Sequence, residues 1–106
     1  MAKIIWNKRA ELLFVEHVEY ARCEFGVSTA IRWINQKNQI EARLRCHPES
    51  YPPEPIASNK QRVFRGIIVM KSFKLIYVYY PSSDIVRIVD IWDTLMNPKT
   101  LAKRIE

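Results

Sequence analysis

The hydrophobic period of this chain changes once, and a proline-rich segment marks the change. Up to residue 46 apolar residues recur at helical spacing. From residue 63 they crowd into short β-prone runs, and between the two stretches residues 47–61 hold Pro48, Pro52, Pro53 and Pro55. Proline has no backbone N–H and clashes with the preceding helical turn, so the middle segment is neither a helix interior nor a central strand. A chain divided in this way builds a helical layer first and a sheet second, and packs one on the other. That is an α+β fold.

Residues 3–6 read as a short strand, and Asn7 offers a side-chain oxygen to cap the helix that follows. Ala10, Phe14, Val18, Ala21 and Phe25 form the apolar stripe of that helix, flanked by Leu13 and His17. Gly26 suits its C-terminal cap, because glycine takes positive φ at little cost. Ser28 can cap a second helix whose stripe is Ala30, Trp33, Ile34, Ile40 and Leu44. Lys37 falls on the same stripe, where its long stem can carry the charge to solvent. Pro48 disfavours helical geometry in the residue before it, so the helix should stop near Cys46 and His47. The short connection at residues 26–28 implies an antiparallel helical hairpin.

The runs 63–70, 73–80 and 85–92 are rich in Val, Ile, Tyr and Phe and read as three strands. Lys71-Ser72 and Pro81-Ser82-Ser83-Asp84 supply short turns between them, which makes an antiparallel meander. Strand 3–6 should join that sheet at an edge. Asn97 and Pro98 suit the start of a short C-terminal helix over residues 98–104. In the run 73–80, Phe73, Leu75, Tyr77 and Tyr79 point to one face and Ile76, Val78 and Tyr80 to the other. The hairpin covers one of these apolar faces. The other is a candidate partner surface, unless the 47–61 loop and the C-terminal helix cover it.

The chain has 106 residues, enough for one domain and one core, so residues 1–106 are read as a single unit. No apolar run approaches the ~20 residues that span a bilayer. The opening Met1-Ala2-Lys3-Ile4-Ile5-Trp6 runs at once into a charged segment, unlike a secretory signal. These features lead us to expect a cytoplasmic protein without a membrane partner. Cys23 and Cys46 lack metal-ligand spacing and read as small buried or half-buried thiols. With Gly26 and Gly66 the only glycines, no phosphate-binding glycine loop exists, and neither a metal nor a cofactor is expected.

The net charge is +6, and residues 60–74 carry Lys60, Arg62, Arg65, Lys71 and Lys74 without an acid. Such a run favours a polyanion or an acidic protein as partner, or is simply a solvated strand face.

The order of elements, with certain residues, resembles the RelE/ParE superfamily over nearly the whole chain. Trp6 with Ala10 is similar to the family's opening, and Leu44-Arg45-Cys46-His47-Pro48 to its helix-to-proline junction. The clearest likeness is Ile88-Val89-Asp90-Ile91-Trp92-Asp93-Thr94-Leu95-Met96-Asn97-Pro98, which resembles the last strand and proline-bearing turn of the plasmid-stabilisation branch. The resemblance implies the toxin of a type II toxin–antitoxin pair, held inactive by an antitoxin whose disordered segment folds on it. Phe73, Leu75, Tyr77, Tyr79 and Trp92 are the residues expected to face that antitoxin. One branch of the family cleaves messenger RNA on the ribosome, and another inhibits DNA gyrase.

For RNA cleavage, Arg65 and Arg62 are the catalytic candidates, because guanidinium matches phosphate geometry. Lys60, Lys71, Lys74 and Arg87 are the candidates for holding a nucleic acid or another target. The chain departs from the family after its last strand, where RNases usually carry a tyrosine or histidine as acid or base. Residues 93–106 contain neither. His17 reads as an interface histidine and His47 as a helix-end residue. Glu49 and Glu54 in the proline-rich loop can serve as bases in principle. Gyrase inhibition needs only a binding surface. A remnant of the fold that binds a partner or nucleic acid without catalysis needs no more, and Phe73, Tyr77, Tyr79 and Tyr80 could then stack bases beside Lys71, Lys74 and Arg87.

Overall fold

The computed structural model describes residues 1–55, 62–70 and 72–94. In chain order they form β1 (Lys3–Trp6), α1 (Lys8–Phe25), α2 (Val27–Cys46), β2 (Phe64–Val69), β3 (Phe73–Tyr80) and β4 (Ile85–Asp93). The helical hairpin and the antiparallel meander follow in the order that the change of period implies. The helix expected at residues 98–104 lies outside the described residues. The sheet order is β1-β4-β3-β2, so β1 joins at an edge as expected. It runs parallel to β4, however, and the sheet is mixed rather than purely antiparallel.

The hairpin is tighter than the spacing implies. A single residue, Gly26, separates the helices, with φ 98° and ψ 171°. Its N–H donates to the Arg22 carbonyl at 3.1 Å, and its carbonyl accepts from the Ala30 N–H at 3.3 Å. One residue thus closes α1 and opens α2, which a residue bearing a Cβ could do only under strain. Ser28 consequently falls within the first turn of α2 and is not its cap. Asn7 does precede α1, but its side chain makes no cap hydrogen bond. Its Oδ1 accepts instead from the Arg87 guanidinium at 3.0 Å. The α2 helix stops at Cys46 and His47, where Pro48 requires it to stop.

The main core lies between the hairpin and one face of the sheet. Ala10 and Leu44 from the helices meet Ile67, Val69, Leu75, Tyr77, Val86, Ile88 and Ile91 from the strands, with Phe14, Trp33, Ile40, Phe73 and Tyr79 packed against them. Burying each large apolar side chain contributes about 1.5–3 kcal/mol. This corrects the expected antitoxin-facing set. Leu75 and Tyr77 are 2% and 0% exposed, and Phe73 and Tyr79 are half-buried beside them. The chain's own helices cover the face that was assigned to a partner.

Trp92, expected alongside these residues, is buried on the opposite face with Phe64, Ile76 and Val78. The cause is a β-bulge. Ile76 pairs with Asp90 but Tyr77 pairs with Ile88, leaving Val89 between the two pairs. The extra residue flips the alternation of β4. Val86, Ile88 and Ile91 face the hairpin, whereas Asp90 and Trp92 face away.

Two smaller expectations also change. Cys23 and Cys46 are both exposed rather than buried or half-buried, because each sits on the outer surface of its helix. His17 does lie at an interface, its ring centroid 4.2 Å from that of Phe73. Burial holds its pKa below the ordinary histidine value, against the opposing charges of Glu16 and Asp93.

Candidate functional site

β3 outruns β2. The pairing of the two strands begins at Phe64 opposite Val78, so Tyr79 and Tyr80 extend past it. A cleft of about 370 Å³ opens there, lined by Glu49, Arg62, Arg65, Tyr79 and Tyr80 together with Val63, Val78 and Pro81. Two arginines, a carboxylate and two phenols thus converge on one end of the sheet.

Arg65 alternates onto the hairpin face, opposite Tyr77. Its Nη1 donates to the Tyr51 carbonyl at 2.6 Å, and its Nη2 lies 3.6 Å from a Glu49 carboxylate oxygen. The loop that carries Glu49 is pinned from below. The Tyr77 hydroxyl donates to the Pro48 carbonyl at 2.8 Å, and the Tyr51 ring stands edge-on to Tyr77 at 6.4 Å. The Arg43 guanidinium covers the Tyr51 ring at 5.0 Å. Burial pushes the Tyr77 hydroxyl up to about 12. A buried phenol and a half-buried guanidinium therefore hold the loop, and the loop holds Glu49 beside Arg65. The Glu49 side chain itself is 61% exposed, so the carboxylate can reach a bound molecule.

The other wall pairs Arg62 with Tyr80. The Arg62 Nη1 donates to the Tyr80 hydroxyl at 3.2 Å. The Tyr79 hydroxyl donates to Asp84 Oδ1 at 2.7 Å, which keeps its pKa above the ordinary tyrosine value. Cations that bind oxyanions, a carboxylate that accepts protons and phenols that donate them make a site suited to a phosphate ester.

Lys74 and Arg87 do not join this cleft. The Lys74 ammonium lies 2.7 Å from the carboxylate of Glu54, which is 5% exposed, on the face away from the hairpin. Lys74 is occupied in neutralising a buried acid. Arg87 fixes Asn7 at the start of α1. Lys60 and Lys71 lie outside the described residues. Glu49 was only one of two loop carboxylates in the sequence, and its pairing with Arg65 could not be read from spacing. No cluster of three His, Cys, Asp or Glu side chains suited to a metal exists among the described residues.

Most of the exposed large apolar residues among those described lie on the hairpin, with Val63 and Ile68 exposed at β2. Leu12, Val15, Ile31 and Ile34 are 54%, 58%, 52% and 38% exposed. Val15 and Ile34 share a groove of about 510 Å³ with Trp6, Phe14, Lys37 and Glu41.

No protein-family model matches the sequence. No curated protein matches it either. Among solved structures, a chain from the "Chromosomal ParDE TA system from P. aeruginosa" is similar, with a TM-score of 0.67 and 13% identity over 88% of this chain and 96% of that one. The fold is ParE-like. In this ParE-like fold the cleft sits where the meander meets the loop after the hairpin, and the exposed apolar groove sits on the helices' outer side. No helix among the described residues is long and apolar enough to cross a membrane.

Proposed function

We propose that the chain is the toxin of a toxin–antitoxin pair and that its cleft cleaves messenger RNA at the ribosome. The convergence of Glu49, Arg62, Arg65 and Tyr80 in one cleft carries this reading. In such a cleavage the RNA 2′-OH attacks the neighbouring phosphorus, and the 5′-oxygen of the next nucleotide leaves. Glu49 takes the 2′-OH proton, and Arg62 and Arg65 balance the charge that grows on the phosphorane oxygens. Tyr80 returns a proton to the leaving oxygen. These residues fill the role of the tyrosine or histidine missing after the last strand. The antitoxin covers the exposed apolar residues of the hairpin, and action on the ribosome places the toxin in the cytoplasm.

The test is 5′-end mapping of cellular messages after brief induction of the chain alone. New ends inside translated frames are expected, and Glu49→Gln should reduce them about 100-fold or more. Arg65→Lys, which keeps the charge but not the fork, should reduce them as well. Intact messages would refute the reading. Growth arrest with intact messages would support a second reading, inhibition of DNA gyrase, which needs no acid or base.

A further inference from the structure

The outer side of the helical hairpin carries an apolar seam that the core does not use. Ala10 of α1 and Leu44 of α2 join the core against the sheet. By the helical period, Leu12 and Val15 lie across α1 from Ala10, and Ile31 lies across α2 from Leu44. Ile34 stands one turn from Ile31, on the side nearer α1. All four are exposed. Each pair is three residues apart and makes a short stripe on its helix. Val15 and Ile34 line one groove, so the two stripes join into a single seam along the hairpin.

The charges of the two helices differ. α1 carries Glu11, Glu16, Glu19 and Glu24 against Lys8, Arg9 and Arg22, whereas α2 carries Arg32, Lys37, Arg43 and Arg45 against Glu41 alone. Such a hairpin is complementary to itself. A second hairpin stacked on it about a twofold axis parallel to the helices lays α1 of each copy antiparallel on α2 of the other. The acid-rich helix then meets the base-rich one. An axis across the helices lays α1 on α1 and α2 on α2, like charge on like. The size also suffices. α1 has 18 residues and is about 27 Å long, and two helices side by side are about 20 Å wide. Two such faces bury roughly 1,100 Å² in total, above the ~1,000 Å² that a specific interface needs.

We propose that this seam is an interface between two copies of the chain, which pair as a four-helix bundle. Leu12 and Val15 of one copy meet Ile31 and Ile34 of the other, and their burial supplies affinity. Glu16 and Arg32 line no part of the groove between α1 and α2. They stand on the outer flanks, where Glu16 of one copy meets Arg32 of the other and fixes the direction of stacking. The two helices hold seven of the 17 cations and five of the 11 acids, so most of the net charge of +6 lies off the interface. The inference does not depend on what the cleft does. An antitoxin that covers the hairpin has to displace the second copy.

The experiment is sedimentation equilibrium of the full chain over about 1–100 μM, which should fit a monomer–dimer equilibrium. Val15→Glu and Ile34→Glu put a charge into the seam at exposed positions. Both should keep the circular dichroism spectrum of a folded chain and weaken association about thirtyfold or more. Ile68→Glu, exposed but on β2, should leave association unchanged. Glu16→Arg and Arg32→Glu should each weaken it about tenfold, and the double variant should restore it, because the charges are then exchanged across the interface. A monomer at every concentration would overturn the proposal and leave the seam to a different partner. Association lost in Ile68→Glu but kept in Ile34→Glu would overturn it in favour of the β2 edge. Failure of the double variant to recover would overturn the stacking of α1 on α2.

Discussion

Tyr77→Phe removes one oxygen and keeps the ring. The Tyr77 side chain is fully buried, and its hydroxyl donates to the Pro48 carbonyl at 2.8 Å. A net intramolecular hydrogen bond of this kind contributes about 1–1.5 kcal/mol. At neutral pH the variant should therefore be less stable by about that much, which lowers Tm by roughly 4–8 °C per kcal/mol in a domain of this size. The pH dependence sharpens the test. The hydroxyl has an ordinary value of 10.0 and is pushed up to about 12 in the folded chain. Because the folded value lies above the unfolded one, its contribution is full below pH 10 and is lost as pH rises toward about 12. Two pH units correspond to about 3 kcal/mol, which the tyrosine protein loses and the phenylalanine protein does not. Starting about 1–1.5 kcal/mol apart, the two stability curves should cross at about pH 11. Lysines titrate there too, but they are the same in both proteins and cancel in the difference. Urea unfolding at a series of pH values between 7 and 12 reads both curves. Parallel curves that never approach each other would refute the burial argument.

Gly66→Ala places a Cβ 3.1 Å from the Glu54 carboxylate and 3.6 Å from the Ile76 side chain. Glu54 is buried and tied to Lys74, so it has little room to yield, and the variant should lose about 1–3 kcal/mol. An unchanged urea midpoint would show that the ion pair is not fixed against β2. His17 is held below its ordinary value of 6.5 by burial against Phe73. Its folded value lies below the unfolded one, so the stability tied to its neutral form is present above pH 6.5 and lost as pH falls through that region. His17→Phe should flatten the acid limb of the stability curve. A variant with the same acid limb would assign that loss to other groups.

The two layers were legible because each obeys a simple period. Ala10, Ala21, Ala30 and Leu44 recur at helical spacing and are buried, and Leu75 and Tyr77 alternate and are buried. What alternation cannot show is which face the helices take, since both faces of β3 are apolar. Tyr77 is as good a surface tyrosine as a core one until the hairpin is placed over it. Nor does the sequence of β4 mark its bulge. Val89 is an ordinary strand residue, and only the partner register with Ile76 and Tyr77 shows that it is skipped. Trp92 was misplaced for that reason. The parallel pairing of β1 with β4 is likewise a matter of tertiary arrangement, as four residues of strand carry no signal of direction.

The site shows a related limit. Charge drew attention to Lys74, Arg87, Arg62 and Arg65 together, with Arg62 and Arg65 taken as catalytic candidates and Lys74 and Arg87 as binding ones. The fold uses these cations in different ways. Lys74 answers a carboxylate that the proline-rich loop buries, and Arg87 takes the side-chain oxygen that Asn7 would otherwise give to its own helix. Both lie where several elements surround them, so local partners claim them. Arg62 and Arg65 stand at the end of the sheet, where β3 continues past β2 and a cleft lined by Glu49, Tyr79 and Tyr80 opens beside them. Position at a strand end, more than charge, separates a cation that can meet a ligand from one that completes the fold. Arg65 does both. Its bond to the Tyr51 carbonyl keeps the Glu49 loop in place, while its second nitrogen group faces Glu49 and the cleft. Tyr77 holds the same loop without reaching the cleft. Activity lost in Arg65→Lys but kept in Tyr77→Phe therefore belongs to the guanidinium itself, and activity lost in both belongs to the loop that the two residues fix.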